Sequence, residues 1–431
     1  MNRMQRTLPD DRPLRAICCV VLLFISGIAF AADYRAARAE LVAAYEAQDY
    51  PAMRAAARKA LDARPGYAGA MFNLALAETL NSDAGAALRV LQQLLAKKID
   101  FGADEMDEFA ALHELPEWDA YVAAVTALYE PIGQATVAYS FATADFIPEG
   151  IAAGSDGELY LGSIRHGDIV RIGESTRRIL TAGDGPHWSV FGMRFDASGR
   201  LWFVSSAINE FASLNPDDAG KNGLYAIDTE TGEVLVRTSL PSTGYRQVLG
   251  DLIVVDDDTI YLADQADGVV YRYSVSSGEF STFIDRGSLG SPQGLVLDKS
   301  GKYLYVADYI GGLFRAEIAT GRVEKVTPLE SASDYGIDGL YRYGDKLIAI
   351  QNGIRPNRVI EFELSADGLS VIASKILAMN LPEFDEPNLG VIRQGEFLFI
   401  ANSHWNRFDR DGNLPADLAG PVILGINLSE H

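Results

Sequence analysis

The chain has 431 residues, 48% hydrophobic and 22% charged, and its 59 acidic against 37 basic residues give a net charge of −22. That length accommodates more than one domain with a core of ordinary size, and the composition excludes collagen, an end-to-end coiled coil and disorder. A general nucleic-acid binder needs a basic footprint that is missing here, so no nucleic-acid partner is expected.

Residues 1–15 carry Arg3, Arg6, Arg12 and Arg15, residues 16–30 are free of charge, and Ala29-Phe30-Ala31 has the small-x-small form of a cleavage site. This is the layout of a secretory signal peptide over residues 1–31. The apolar run is shorter than the roughly 20 residues that span a bilayer. The chain is therefore expected to be exported, periplasmic or extracellular, with no stable membrane insertion after cleavage; a short retained anchor is the alternative. Cleavage takes the net charge from −22 to −24 and removes Cys18 and Cys19, the only cysteines. An exported chain without cysteine must be stable without disulfides, which favours large domains.

From 32 to about 131 the text is rich in Ala, Leu, Glu, Arg and Gln, all strong helix formers. At an offset of 34 residues Asp49 aligns with Asp83, Ala52 with Ala86, Leu61 with Leu95, and Tyr67 with Phe101. Such a period marks stacked helix pairs, and the segment resembles a tetratricopeptide array of two units with a further helix in ELPEWDAYVAAVTALYEP. The other reading is a plain helical bundle packed on the next domain. Chemistry is not expected here; a neighbouring domain, a peptide or a protein partner is.

After Pro131 short alternating runs of Val, Ile, Tyr, Phe and Leu are separated by SDG, ASG, KSG and GDK turns. A unit recurs six times, opening at Glu149, Phe191, Asp251, Gln293, Asp338 and Asn388, with a further strand pair after each opening phrase. The repeat length and about four strands per unit predict an all-β six-bladed β-propeller over 140–428, behind a small N-terminal α-helical domain. The longest step, from Phe191 to Asp251, holds an insertion at about 208–222.

In a propeller the first strand of each blade lines the channel, so the six opening residues converge on one mouth. Three carboxylates among them would repel unless a cation or shared protons neutralised them. With oxygen donors and no sulfur the fitting ion is hard: Ca²⁺ by preference, with Mg²⁺ or Mn²⁺ as alternatives.

These phrases, PEG, DLIVVD, PQGL and IDGL, resemble the senescence-marker-protein-30/gluconolactonase family of calcium-dependent lactone hydrolases, and more weakly the arylesterase and strictosidine-synthase-like propellers. The resemblance implies one divalent metal held by Glu149, Asp251, Gln293 and Asp338. Two of these depart from the family pattern, in which asparagine stands at the positions of Asp251 and Gln293. It further implies metal-assisted hydrolysis of a small lactone or ester, with Asp338 positioning or deprotonating water. His187 and Arg194 are candidate catalytic side chains, and Asn352, Asn388, Asn402 and His404 could orient substrate. A histidine capping a strand turn is the plainer reading of His187 and His404. The competing function is a non-catalytic propeller scaffold with a structural ion and a partner-docking head.

Overall fold

A computed structural model describes residues 30–173, 176–182 and 187–430. The expected export segment lies outside these residues except for its last two. Among the described residues no helix is long and apolar enough to cross a membrane.

Among the described residues five α-helices come first: α1 (Phe30–Glu46), α2 (Tyr50–Ala63), α3 (Ala68–Leu80), α4 (Ala84–Ala96) and α5 (Trp118–Leu128). The 34-residue period has a physical basis. Asp49 and Asp83 each precede a helix, and each side chain accepts from the main chain three residues on, Ala52 N at 3.1 Å and Ala86 N at 2.9 Å. Such a cap contributes about 1 kcal/mol and sets where α2 and α4 begin. Small residues at buried positions, Ala56, Ala57, Ala75, Ala77 and Ala87, let the helices approach closely around Met53, Phe72, Leu88 and Leu91.

The described residues then form twenty-five strands, β1 (Ile132–Gly133) to β25 (Val422–Asn427) in chain order. They make six antiparallel sheets. From the channel outward these are β3-β4-β5-β6, β7-β8-β9-β10, β11-β12-β13-β14, β15-β16-β17-β18, β19-β20-β21-β22-β1 and β23-β24-β25-β2. Five blades draw their four main strands from consecutive sequence. The sixth takes its outer strand from the front of the propeller: β2 (Thr136–Ser140) pairs with β25, Thr136 opposite Gly425. This closure and β1 at the edge of the fifth blade carry the propeller back to residue 132, before the boundary at 140 that the repeat suggested. Repeat comparison sees only what recurs, and a closing strand occurs once.

A polar, buried residue stands at or just after the end of every second strand: Ser163, Ser206, Asp264, Asp308, Gln351 and Asn402. Most of them tie down the loop entering their own blade or the next, as Asp264 does by accepting from Val248 N at 3.0 Å and Ser206 from Leu249 N at 2.9 Å. Loop main chain that would otherwise be buried without partners is satisfied in this way.

The head docks on the end of the propeller where the inner strands begin, over blades four and five. Arg64 donates to Ile310 O at 3.0 Å, Tyr335 OH to Pro65 O at 3.2 Å, and Asp100 N to Arg355 O at 3.0 Å. Arg358, 2% exposed, reaches up from the fifth blade to the carbonyls of Lys97 and Lys98 just after α4. The helical head thus packs on its own propeller.

Candidate functional site

The inner strands β3 (Pro148–Ala153), β7 (Ser189–Phe195), β11 (Leu249–Val254), β15 (Pro292–Leu297) and β19 (Ile337–Tyr343) share one irregularity. Their pairing with the second strand slips between Pro148 and Ile151, Val190 and Met193, Leu249 and Asp251, Pro292 and Leu295, and Ile337 and Leu340. Each slip is a β-bulge, and Glu149, Phe191, Gln293 and Asp338 sit inside one, with Asp251 at the end of another. A bulge re-aims a side chain that the pleat would otherwise send into the blade. The glycines beside these residues serve the same geometry. A Cβ on Gly150 would stand 2.1 Å from Phe191 O, and one on Gly192 2.4 Å from Asp251 Oδ1. Only glycine lets neighbouring inner strands come this close.

Glu149 Oε2 accepts from Asn388 Nδ2 and from Trp405 Nε1, both at 2.5 Å. Asp338 Oδ2 accepts from Asn352 Nδ2 at 2.6 Å. Arg194 approaches Asp251 Oδ2 at 3.4 Å, and its guanidinium lies 5.8 Å from the centre of the Tyr341 ring. A Cβ on Gly250 would lie 3.3 Å from Gln293 Oε1, which places that amide beside the residue preceding Asp251. Of the sequence candidates, Glu149, Asp251, Gln293, Asp338, Arg194, Asn352 and Asn388 are therefore gathered at the mouth.

Burial dominates the electrostatics. Desolvation first, and then repulsion from Asp338, raises Glu149 well above the ordinary carboxylate range, against the hydrogen bonds from Trp405 and Asn388. Desolvation lifts Asp338 to about 6, with Asn352 opposing and Asp251 reinforcing. Asp251 is raised by burial although Arg194 pulls it back. Glu386, just before the sixth blade, is raised to about 7, by burial and then by Asp338 and Asp385 against the hydrogen bond from Asn406. Burial thus pushes both carboxyls above their ordinary range, and the charge of Asp338 adds to the rise at Glu149.

Three candidates stand elsewhere. His187 Nε2 meets Gly167 O at 2.8 Å and its ring packs edge-on against Phe203 and Tyr225, within the second blade rather than in the channel. His404 lies between Asp385 Oδ2 and Ala419 O, each at 3.0 Å, and Asn402 bonds Gly420 O and Val422 N. Both pin the loops of the sixth blade. Burial alone would raise Asp385, but hydrogen bonds from His404, Arg407 and Asn406 win and hold it near 2. The strand-turn reading of these histidines matches their surroundings.

Sequence reasoning missed Trp405 as a partner of Glu149, and also Glu386, Tyr341 and Tyr309, whose hydroxyl is pushed up by burial and by Asp338. They come from loops, or from strand positions that carry no repeat signature.

The all-oxygen donor set is the kind a hard cation takes. Asp251 Oδ1 and Asn352 Oδ1 are buried without a hydrogen-bond partner, and Arg194 faces an excess of carboxyls. Among the described residues, however, no three His, Cys, Asp or Glu side chains gather closely enough to hold a metal by themselves. Any such site must use the amides of Gln293 or Asn352.

The sheets define the architecture. The chain is a six-bladed β-propeller. A family model for major royal jelly proteins matches residues 188–283, the second and third blades, and no curated protein matches the chain significantly. Among solved structures it is similar to a PQQ-bound aldose sugar dehydrogenase from Streptomyces coelicolor, with a TM-score of 0.48, 12% identity, and 69% of this chain and 98% of that chain covered. It is also similar to a virginiamycin B lyase from Staphylococcus aureus, with a TM-score of 0.45, 14% identity, and 69% and 99% covered. The six-bladed propeller is what the chain shares with the gluconolactonase resemblance.

Proposed function

We propose that the channel mouth hydrolyses a small lactone or ester. The observation that carries this reading is the carboxyl pair Glu149 and Asp338, both held in bulges at one mouth and both raised by burial. Asp338, lifted to about 6, is ionised near neutrality and can serve there as a base.

Asp338, ionised above about 6, takes the proton of the attacking water and returns it to the leaving oxygen as the acyl C–O bond of the tetrahedral intermediate breaks, and Asn352 fixes the plane of its carboxylate. Arg194, partly exposed to the channel and leaning on Tyr341, offers N–H groups to the oxygen that gains charge in the tetrahedral intermediate. Asn388 and Trp405 hold Glu149 in place. Phe191, its ring 6.2 Å from that of Trp405, gives the mouth an apolar wall. A divalent cation, calcium by its preference for oxygen donors, would be held by no more than two of the carboxyls Glu149, Asp251 and Asp338 together with the amide oxygen of Gln293 or Asn352, and when bound would polarise the substrate carbonyl. The reading includes export of the mature chain, which the first 31 residues suggest.

The test is turnover of a panel of aldonolactones and p-nitrophenyl esters by the mature chain, with calcium and after chelation. Asp338→Asn should lower the rate about 10²- to 10⁴-fold with the fold intact. Chelation should abolish turnover if the cation is required. No turnover of any lactone or ester in either state would overturn the proposal and leave the scaffold reading.

A further inference from the structure

A second concavity, a groove of about 800 Å³, lies on the outer part of the second blade at the same end of the propeller. Its lining includes Trp188, Tyr245, Lys221, Arg237, Gln247 and Asn222, with His187 among its buried residues. None of these belongs to the channel set.

Two aromatic rings in the groove are fixed in advance. Tyr245 is 59% exposed, yet the Arg286 guanidinium lies 3.7 Å from its ring centre. That guanidinium is itself held by two hydrogen bonds to Asp267, whose side chain is fully buried. An exposed ring anchored from below has already lost the freedom that binding would otherwise cost. Trp188 is fixed likewise, its Nε1 donating to Asp218 Oδ2 at 3.3 Å.

Around the rings are groups that pair with hydroxyls and with negative charge. Gln247 donates to Tyr271 OH at 3.2 Å, and Asn222 Oδ1 accepts from Leu240 N at 3.3 Å, so both amides are held in orientation. Lys221 pairs with Asp218 at 2.6 Å, which leaves Arg237 as the excess charge of the lining in a chain of net −22. Flat apolar rings flanked by fixed amides and a guanidinium suit a sugar ring: its C–H face stacks, its hydroxyls bond laterally, and a carboxylate meets the arginine.

We propose that this groove binds an acidic saccharide, a uronic-acid sugar, independently of the channel chemistry. The experiment is calorimetric titration of the mature protein with digalacturonate, and with cellobiose as the neutral counterpart. Saturable binding of digalacturonate is expected, weaker for cellobiose and falling with salt. Tyr245→Ala and Trp188→Ala should each weaken it about tenfold, the loss of about 1.4 kcal/mol of stacking. Arg237→Gln should remove the preference for the acidic sugar while cellobiose binding persists. No heat with either saccharide, or binding indifferent to Tyr245→Ala and Trp188→Ala, would overturn the proposal. Equal affinity for the two sugars would overturn its acidic part.

Discussion

Trp405 Nε1 donates to Glu149 Oε2 at 2.5 Å, joining residues 256 positions apart. Glu149 lies in the first blade and Trp405 in the loop before the closing strands of the sixth. The site is therefore completed only when the ring closes, and the same seam that holds the propeller shut orients a carboxyl raised well above its ordinary range.

Trp405→Phe keeps most of the ring and removes the donor. A buried carboxyl that loses an N–H partner costs about 1–3 kcal/mol. The melting temperature should fall by several degrees. Glu149 should also hold its proton to higher pH, because that hydrogen bond favours the ionised form. A pH–rate profile unmoved by the change would deny Trp405 any part in tuning Glu149.

The pH dependence of the proposed hydrolysis follows from Asp338. Its carboxyl, raised to about 6, acts as a base only when ionised. Below that pH kcat/KM should fall about tenfold per unit, and above it the rate should level off. A rate that stays flat down to pH 5 would argue against Asp338 as the base.

Asp264 makes a separate stability prediction. Burial raises its carboxyl to about 7 in the folded protein, against backbone hydrogen bonds from Val248 and Asp267. Its Oδ2 has no partner. The unfolded chain gives up this proton near the ordinary value, so the folded state binds more protons between about 4 and 7. The group therefore favours folding at low pH, and that contribution is lost as pH rises through about 7, by up to about 4 kcal/mol. Melting curves from pH 5 to 8 should show a flatter dependence for Asp264→Asn than for the parent chain. Equal slopes would show that Asp264 does not carry the linkage.

Arg358 is the clamp of the head. Its guanidinium is buried among carbonyls, and burial lowers its pKa to about 10. Arg358→Ala strands the carbonyls of Lys97 and Lys98, at about 1–3 kcal/mol for each buried group left unpaired. Faster proteolysis between α5 and β2 is the expected readout. Arg358→Lys should not restore protection, because an ammonium cannot span the carbonyls as a planar fork does.

Gly192→Ala tests the close approach of the inner strands. The added methyl would meet Asp251 Oδ1 at 2.4 Å and Asp251 Cα at 2.7 Å, and the backbone atom cannot swing aside as a side-chain tip could. A loss of about 1–3 kcal/mol is expected in chemical unfolding.

The repeat of turns and alternating apolar runs made the six blades legible, because strand pairing within a blade is local and recurs in text. The caps Asp49 and Asp83 made the helical period legible for the same reason. The opening residues of each unit could be named as channel residues, since topology alone places first strands at the axis. The bulges that aim Glu149 and Asp338 left only a trace, the glycine following each, whose meaning depends on a neighbouring strand. His187 and His404 looked like channel groups because sequence shows a strand end but not which way the side chain leaves it.

What the sequence determined by itself was therefore periodic and local: blade number, helix starts and the identity of the axial residues. Tertiary structure decided what arises from contacts between distant segments. It closed the ring through β2, seated the head on the propeller, joined Trp405 to Glu149 and placed Arg194 against Asp251. The acidities of the carboxyls belong there too, because desolvation and charge proximity exist only once the blades have packed.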